Sequence, residues 1–415
     1  MHRTRVLRRP AVGALHRSVH GEGGRAAETR SVLLLPKTPR WRHELASRGL
    51  SEVVARELLA RGEAWPRAAQ MCQANDAHAA SVAHLERCFG EAGIAVRTLA
   101  AAEATAAQVA AHAPALVCTA GGDGTLLRTA TLLPPSTPLL AINTDPERST
   151  GALCSAQISP HASAASAAHV AASLRGGHFS VRPQPRLRAT IEDAAGARVL
   201  LAINEAFVGE VDPVRPCALE VALDSGPVQQ CRASGLIVGT QAGASAWLGA
   251  AQAVDERRVA AVLRAAGVLP PAHTSPPPAA AADPTAGGEG GEGGEWLRRV
   301  VDATNAELHT HADGTKLQYL VREPMAALSR SEPTPNHGFV RQLWMRALGW
   351  EVVICCDGLP AVRVPPMTGI RFEVEPDPRH WLHLVQIPEE TTADDGIPRA
   401  MGAALYRHPA RSRYI

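Results

Sequence analysis

The apolar positions fall into two textures along the chain. Between 31 and 150, short apolar runs alternate with stretches in which apolar residues recur every three or four positions. "SVLLLPK" (31–37) predicts a buried strand closed by a proline, and "IAVRTL", "ALVCTA" and "PLLAIN" predict three more. Helical spacing runs through "ELASRGLSEVVARELLARG" (44–62), "ASVAHLERCFGEAG" (80–93) and "AAEATAAQVAAHA" (101–113), and a further helix is expected from Thr125. Strands alternating with helices imply βαβ units, so 31–150 reads as an open α/β domain whose parallel sheet is covered on both faces.

From about 180 the runs become short and β-like: "RLRATIED", "RVLLAINEAFVG", "CALEVALD", "GPVQQCRASGLIVGT", and later "WEVVICCDG", "PAVRVPP", "IRFEVEP" and "HLVQIP". Turn residues separate them at sandwich-like spacing, which predicts a second, largely antiparallel, β-sandwich-like domain over 180–391. Within it, "PAHTSPPPAAAADPTAGGEGGEGGE" (271–295) cannot bury enough surface to offset chain entropy and reads as a disordered insertion. Its "GEGGEG" (288–293) matches a dinucleotide-binding pattern by letters alone. No predicted strand leads into it and no predicted helix leaves it, so the match is rejected.

The first 20 residues hold five arginines and neither Asp nor Glu, the composition of an organelle transit peptide. Residues 1–30 are therefore set apart as a disordered transit segment, with the mitochondrial matrix favoured over the chloroplast because serine is scarce; 392–415 is set apart as a tail. The remaining composition narrows the function. With 42 Lys and Arg against 40 Asp and Glu, no basic field points to nucleic acid, and 4% aromatic residues leave few platforms for base stacking. No apolar run approaches the roughly 18 residues of a membrane span, so a soluble chain without membrane insertion is expected. The eight cysteines form no C-x-x-C pair, which signals neither a zinc site nor a disulfide framework.

The candidate chemistry lies in "TAGGDGTLL" (119–127), directly after a predicted strand. No Walker-type loop is present. Gly121, Gly122 and Gly124 allow positive φ and close backbone approach to a ligand, and successive N–H groups there can form an anion nest. Thr125 is suited to cap the next helix, whose N-terminus also favours phosphate. Asp123 is the anomaly, because a carboxylate repels phosphate. It makes sense as the group that orients an acceptor hydroxyl and takes its proton late, while positioning and a metal-neutralised phosphate supply much of the rate. A strained turn with a helix-capping Asp is the competing explanation. "CCDGLPAV" reads as a hairpin turn, with Asp357–Gly358 supplying positive φ.

GGDGT resembles the loop shared by NAD kinases, diacylglycerol and sphingosine kinases and, in shortened form, phosphofructokinases. Further stretches favour the first. "INEAFVGE" resembles the Asn-Glu/Asp motif of NAD kinases, at Asn204–Glu205, and "SGLIVGTQAGASAW" (234–247) resembles their glycine- and threonine-rich segment. "INTDPERSTGALC" (142–154), "LVREPMAAL" (320–328) and "LLLPKTPRWRHEL" (33–45) resemble the eukaryotic mitochondrial branch.

The resemblance implies ATP-dependent phosphorylation of the adenosine-ribose 2′-hydroxyl of NAD, Mg²⁺ accompanying ATP, and a homodimer through the β domain. It implies that Asp123 accepts the proton, that Gly121, Gly122, Gly124, Thr125, Lys37 and Arg148 lie near phosphate, and that Asn204, Glu205, Thr240, Gly243, Ser245, Ala246 and Trp247 receive NAD. No residue is expected to hold a metal directly. The chain departs from the common pattern at Ala244, where a hydroxyl is lost, and at Ala152–Leu153, which replace Gly-Phe. A lipid kinase with the same loop and a non-catalytic nucleotide-binding regulator are the alternative functions.

Overall fold

The structure is a computed structural model that describes residues 28–158, 163–193, 196–212, 214–269, 292–307, 314–325 and 336–388. Residues 1–27 of the expected transit segment 1–30, the tail from 392 and most of the expected insertion lie outside the described residues; Thr29, expected within that segment, is buried and donates its N–H to Leu174 O at 3.2 Å. The chain forms two compact units, one up to Gln184 and again from Arg379, the other from Pro185 to Pro378.

The first unit is built on a seven-stranded sheet. Strand β1 (Ser31–Pro36) is flanked by β2 (Ala95–Thr98) and β3 (Leu116–Ala120), and β3 by β4 (Pro138–Asn143), all parallel. The short β5 (Ala156–Gln157) also runs parallel to β4, and β6 (Ser180–Gln184) forms an edge. Val32 to Leu35 and Leu116 to Ala120 are buried residue after residue, as expected for strands covered on both faces.

The helices are α1 (Arg40–Arg48), α2 (Glu52–Ala60), α3 (Ala68–Glu91), α4 (Ala106–His112), α5 (Asp123–Ala130) and α6 (Ser163–Arg175). The long stretch 44–62, expected as one helical run, breaks into α1 and α2. Gly49 ends α1 at φ 63°, and the Ser51 hydroxyl then caps α2 by accepting from Val54 N–H at 3.3 Å. Helix α4 opens on a full capping box between Thr105 and Gln108.

"HLVQIP", read with the second domain, belongs elsewhere. Leu382–Gln386 returns to the first sheet, parallel to β4 and antiparallel to β6. The segment 180–184, also read with the second domain, is β6 of the first sheet.

The second unit holds two six-stranded sheets, and every pairing in them is antiparallel. In chain order the strands are β7 (Leu187–Asp193), β8 (Gly196–Ala202), β9 (Glu205–Glu210), β10 (Cys217–Leu223), β11 (Gln229–Ala233) and β12 (Gly235–Gly239). They continue as β13 (Leu317–Arg322), β14 (His337–Val340), β15 (Gln342–Ala347), β16 (Val352–Cys356), β17 (Val362–Val364) and β18 (Gly369–Val374). One sheet runs β11-β10-β15-β18-β7-β8 and the other β14-β13-β12-β9-β16-β17.

Their inner faces share one core, with Leu219, Met345 and Phe372 from the first meeting Val208, Val238 and Ile354 from the second. This is the expected sandwich, with one addition. Between β12 and β13 come α7 (Trp247–Gln252), α8 (Glu256–Ala265) and α9 (Glu292–Glu307), which the strand pattern did not predict. Helix α9 includes 292–295, so those residues of the expected insertion are helical, and a helix does open at the end of the glycine-rich run. Among the described residues no helix is long and apolar enough to cross a membrane, and all eight cysteines are free thiols.

Candidate active site

In the first unit the glycine loop leaves the carboxyl end of β3, the end at which open α/β sheets bind ligands. Main-chain bonds lace the strand ends together: Gly121 N–H to Ile142 O at 2.9 Å and Lys37 N–H to Ala120 O at 2.8 Å. Helix α5 begins at Asp123, and its N-cap is Gly122 in extended conformation (φ −85°, ψ −169°). Thr125 is therefore inside the first turn, donating N–H to Gly122 O at 3.0 Å, and is not the cap.

The glycines also work differently from expectation, since none of Gly121, Gly122 and Gly124 adopts positive φ. Crowding explains two of them. A Cβ on Gly121 would collide with Thr125 Oγ1 and come within 3.0 Å of Lys37 Cβ, and one on Gly122 would come within 2.8 Å of Ser149 Oγ. A Cβ on Gly124 would meet open space.

Asp123 is held by the segment that follows β4. Its Oδ2 accepts from Ala152 N–H and its Oδ1 from Leu153 N–H, both at 2.9 Å. These are two of the three positions at which the sequence departs from the pattern it resembles, the third being Ala244. Because the contacts come from the main chain, Ala152 and Leu153 keep both donors. Cys154 Sγ lies 3.7 Å from Asp123 Oδ1, and its thiol is pushed up to about 12 by burial and then by the Asp123 charge, so it stays protonated at neutral pH.

Asn143, the last residue of β4 and fully buried, organises this segment. Its Oδ1 accepts from Asp145 N–H at 3.0 Å, and its Nδ2 donates to Ser149 O at 2.8 Å. The chain then turns at Gly151 (φ 58°), where a Cβ would come within 2.6 Å of Asn143 Nδ2. One amide thus fixes a loop that presents Asp145 and Arg148 at its start and the two donors to Asp123 at its end.

Lys37 Nζ lies 3.9 Å from Asp145 Oδ2, and Arg148 Nη1 lies 3.1 Å from Asp145 Oδ1. Burial holds the Lys37 ammonium below its ordinary pKa, Asp145 opposes that shift, and Arg148 adds to it. The three line a cleft of about 520 Å³ that is also walled by Arg40, Arg48, Arg67 and Trp65. Five basic residues against Glu44 and Asp145 make it cationic. Lys37 and Arg148, singled out from sequence, therefore share one carboxylate and one cleft.

In the second unit the register of the neighbouring strands β12, β9 and β16 brings three distant segments to one end of those strands. Gly239 pairs with Glu205, and Cys356 pairs with Ala206. Asn204 and Glu205 are each 8% exposed, yet Asn204 Oδ1 and Glu205 Oε2 are buried without a hydrogen-bond partner. Burial, and secondarily the Asp357 charge, raises Glu205 to about 7, while the N–H groups of Leu248 and Trp247 act in the opposite direction.

The Thr240 hydroxyl donates to Ile203 O and accepts from Ala242 N–H at 3.0 Å, while Thr240 N–H donates to Asn204 O at 2.8 Å. Thr240 is thus a clasp within the turn. Gly243 begins a short 3₁₀ turn to Ser245, and a Cβ on it would strike the Asn204 carbonyl and lie 3.1 Å from Glu205 Oε2. Ala244, where the hydroxyl is lost, is 4% exposed and packed. Ala246 immediately precedes α7 as its N-cap. Trp247, 42% exposed, packs tilted against Phe207 at 5.1 Å, with the Arg322 guanidinium 5.5 Å from its ring.

Two residues escaped the sequence reading. Asn143 could have been found as an Asn that closes a strand and bonds the N–H two residues on. Asp357 was read only as a turn residue. The turn exists, with Asp357 at φ 51° and Gly358 at φ 69°, but the Asp357 carboxylate also reaches back to Ile203, Asn204 and Glu205.

No family model matches the chain. Among curated proteins it is similar to "NAD kinase 2, mitochondrial" of Rattus norvegicus, 26% identical over 369 residues, covering 79% of this chain and 81% of the relative. The protein of the same name from Xenopus tropicalis is 26% identical over 394 residues, covering 81% and 86%. The human one is 26% identical over 369 residues, covering 79% and 78%. Among solved structures, an NAD kinase from Archaeoglobus fulgidus in complex with ATP covers 87% of this chain and 94% of its own at a TM-score of 0.47 and 14% identity. A yeast NADH kinase complexed with NADH covers 87% and 84% at the same score and identity. Over about four fifths of its length this chain is similar to proteins named mitochondrial NAD kinase 2.

Proposed function

We propose that this chain is an NAD kinase that transfers the γ-phosphoryl group of ATP to the adenosine-ribose 2′-hydroxyl of NAD, giving NADP in the mitochondrial matrix. One observation carries the reading. Asp123 follows the strand-end glycine loop, and each of its carboxylate oxygens is fixed by one main-chain N–H at 2.9 Å. An ionised carboxylate oxygen has a second acceptor direction, so Asp123 can still take a hydroxyl.

Asp123 orients that hydroxyl and accepts its proton as the P–O bond forms. The Gly121 N–H is taken by Ile142 O, so the N–H groups at the α5 N-terminus favour the phosphate, and Lys37 and Arg148 offset its charge from the cationic cleft. Asn204 Oδ1 and Glu205 Oε2, two buried acceptors without partners, receive donor groups of the nucleoside. Gly243, Ser245 and Ala246 let the dinucleotide lie close to the main chain, and the exposed ring of Trp247 flanks it. Thr240 contributes by holding the turn.

Among the described residues no group of three His, Cys, Asp or Glu side chains could hold a metal ion. Mg²⁺ accompanying ATP would be held mainly by triphosphate oxygens and water and would supply charge neutralisation. The arginine-rich leader of residues 1–20 and the mitochondrial naming of the relatives support the location. A homodimer through the β unit is part of the proposal, to be checked by sedimentation.

The test is to incubate the purified chain with ATP, Mg²⁺ and NAD⁺ and to measure NADP⁺ with an NADP-specific dehydrogenase. Time-dependent NADP⁺ formation is expected. Phosphorylation of diacylglycerol or a sphingoid base in its place, or NAD binding with no transfer, overturns the reading.

A further inference from the structure

Asp357 is 152 residues from Glu205 in sequence, and its carboxylate takes three consecutive main-chain donors. Its Oδ2 accepts from Ile203 N–H at 2.6 Å, and its Oδ1 accepts from Asn204 N–H at 2.8 Å and from Glu205 N–H at 3.1 Å. The contact is reciprocal, because Asp357 N–H donates to Glu205 O at 2.9 Å.

From this geometry we infer that Asp357 is a positioning residue for nucleotide binding, a clamp that fixes the direction in which the Asn204 and Glu205 side chains leave the start of β9. The inference rests on the NAD kinase reading for what those side chains bind.

Asp357 at φ 51° and Gly358 at φ 69° have the backbone of an Asp-Gly hairpin turn, which alone does not mark a clamp. Two other observations do. A carboxylate at this place raises the cost of ionising Glu205, since the two charges repel. Burial raises Asp357 itself, the three N–H donors and Arg186 act the other way, and Arg186 is only 7% exposed. A second acid beside Glu205 is therefore unfavourable for folding unless the three ordered N–H groups serve a purpose. Finally, the ordered residues are those whose side-chain acceptors, Asn204 Oδ1 and Glu205 Oε2, are buried without partners. A clamp on the main chain fixes the direction of both Cα–Cβ bonds and leaves Asn204 Oδ1 and Glu205 Oε2 for a ligand.

Asp357→Asn tests this, because Asn keeps the shape, tolerates the same φ, removes the charge, and replaces one of the two accepting oxygens with an NH₂ that opposes whichever N–H it faces. Two readouts are needed. Amide hydrogen exchange is expected to rise at least about tenfold at Ile203, Asn204 and Glu205, while the sandwich strands stay protected. Calorimetric NAD affinity is expected to fall about tenfold or more, with KM for ATP within about twofold of wild type. Unchanged exchange at 203–205, or unchanged NAD affinity, overturns the inference. So does exchange that rises equally through both sheets, which would make Asp357 a residue of overall stability only. Asp357→Gly, which relieves the backbone but removes the carboxylate, must reproduce the loss of affinity. If the wild-type chain forms no NADP⁺ the kinase reading fails, and the exchange measurement still decides whether the clamp exists.

Discussion

The carboxylate of Asp123 is bound to the main-chain N–H of Leu153, 30 residues away, at 2.9 Å, and the neighbouring N–H of Ala152 completes the grip. An acid that must meet a hydroxyl is thereby oriented by groups that a side-chain substitution cannot remove. Asp123→Asn is expected to keep the fold and lower kcat for NADP⁺ formation by about 10²–10⁴-fold, the usual worth of a positioned acid or base. Steady-state kinetics beside a circular dichroism spectrum check it. Turnover near wild type removes Asp123 from the chemistry.

Glycine replacements should divide by geometry. Gly151→Ala places a Cβ 2.6 Å from Asn143 Nδ2 on a backbone at φ 58°, so it must strain the turn or displace the amide that holds the loop. The expected cost is about 1–3 kcal/mol with a large loss of kcat, because the donors to Asp123 follow directly. Gly124→Ala meets open space at an ordinary φ and replaces a helical glycine, so stability should be unchanged or higher by about 0.5–1 kcal/mol. Urea denaturation of both variants distinguishes them, and equal losses would refute the assignment.

The alternation of apolar runs made the α/β unit and the sandwich legible, because burial on both faces writes a continuous run and burial on one face writes an alternation. It failed where neighbours in space are far apart in sequence. Leu382–Gln386 has the texture of the sandwich strands and yet pairs with β4, a partner that no local pattern identifies. The short α7 was hidden for a different reason, since its start is set by the turn at Gly243 that packs on Asn204. Among the candidate residues, Asp123 stood out as a carboxylate among glycines and the Asn204–Glu205 pair only through its resemblance to a known motif, whereas Asn143 and Asp357 act on main-chain donors, a role that residue type alone does not announce. The glycine loop was recognised for a flexibility that it does not use. Two of its glycines are there because side chains of Thr125, Lys37 and Ser149 come too close for a Cβ.

Lys37 and Arg148 flank the same carboxylate, but they are not equivalent. The Lys37 side chain is 27% exposed and the Arg148 side chain 41%. Water screens the second more strongly. Lys37→Met should raise KM for ATP about 10–100-fold, in the range of a lost charge-assisted bond of about 1.5–3 kcal/mol, and Arg148→Met should raise it less. KM for NAD should move little in either. A larger effect on NAD than on ATP would place these cations on the wrong substrate.

Glu205 supplies a pH signature. Its folded-state pKa is raised to about 7 from an ordinary 4.5, chiefly by burial. Below the ordinary value the group is protonated whether the chain is folded or not, and the stability it confers is complete. As pH rises, the unfolded chain ionises first, so that stability is lost across the interval up to about 7 and is absent above it. The loss is at most on the order of 3 kcal/mol. Glu205→Gln, which cannot ionise, should remove this fall from the stability–pH curve; the variant keeps the fall of the same sign from Asp357, whose carboxyl is also raised by burial, and the opposing rise up to about pH 6.5 from His78, which burial lowers to about 4. Denaturant midpoints measured from pH 4.5 to 8 in wild type and variant provide the comparison. Parallel curves would mean that Glu205 is ionised throughout, and that its unpartnered oxygen faces water in solution.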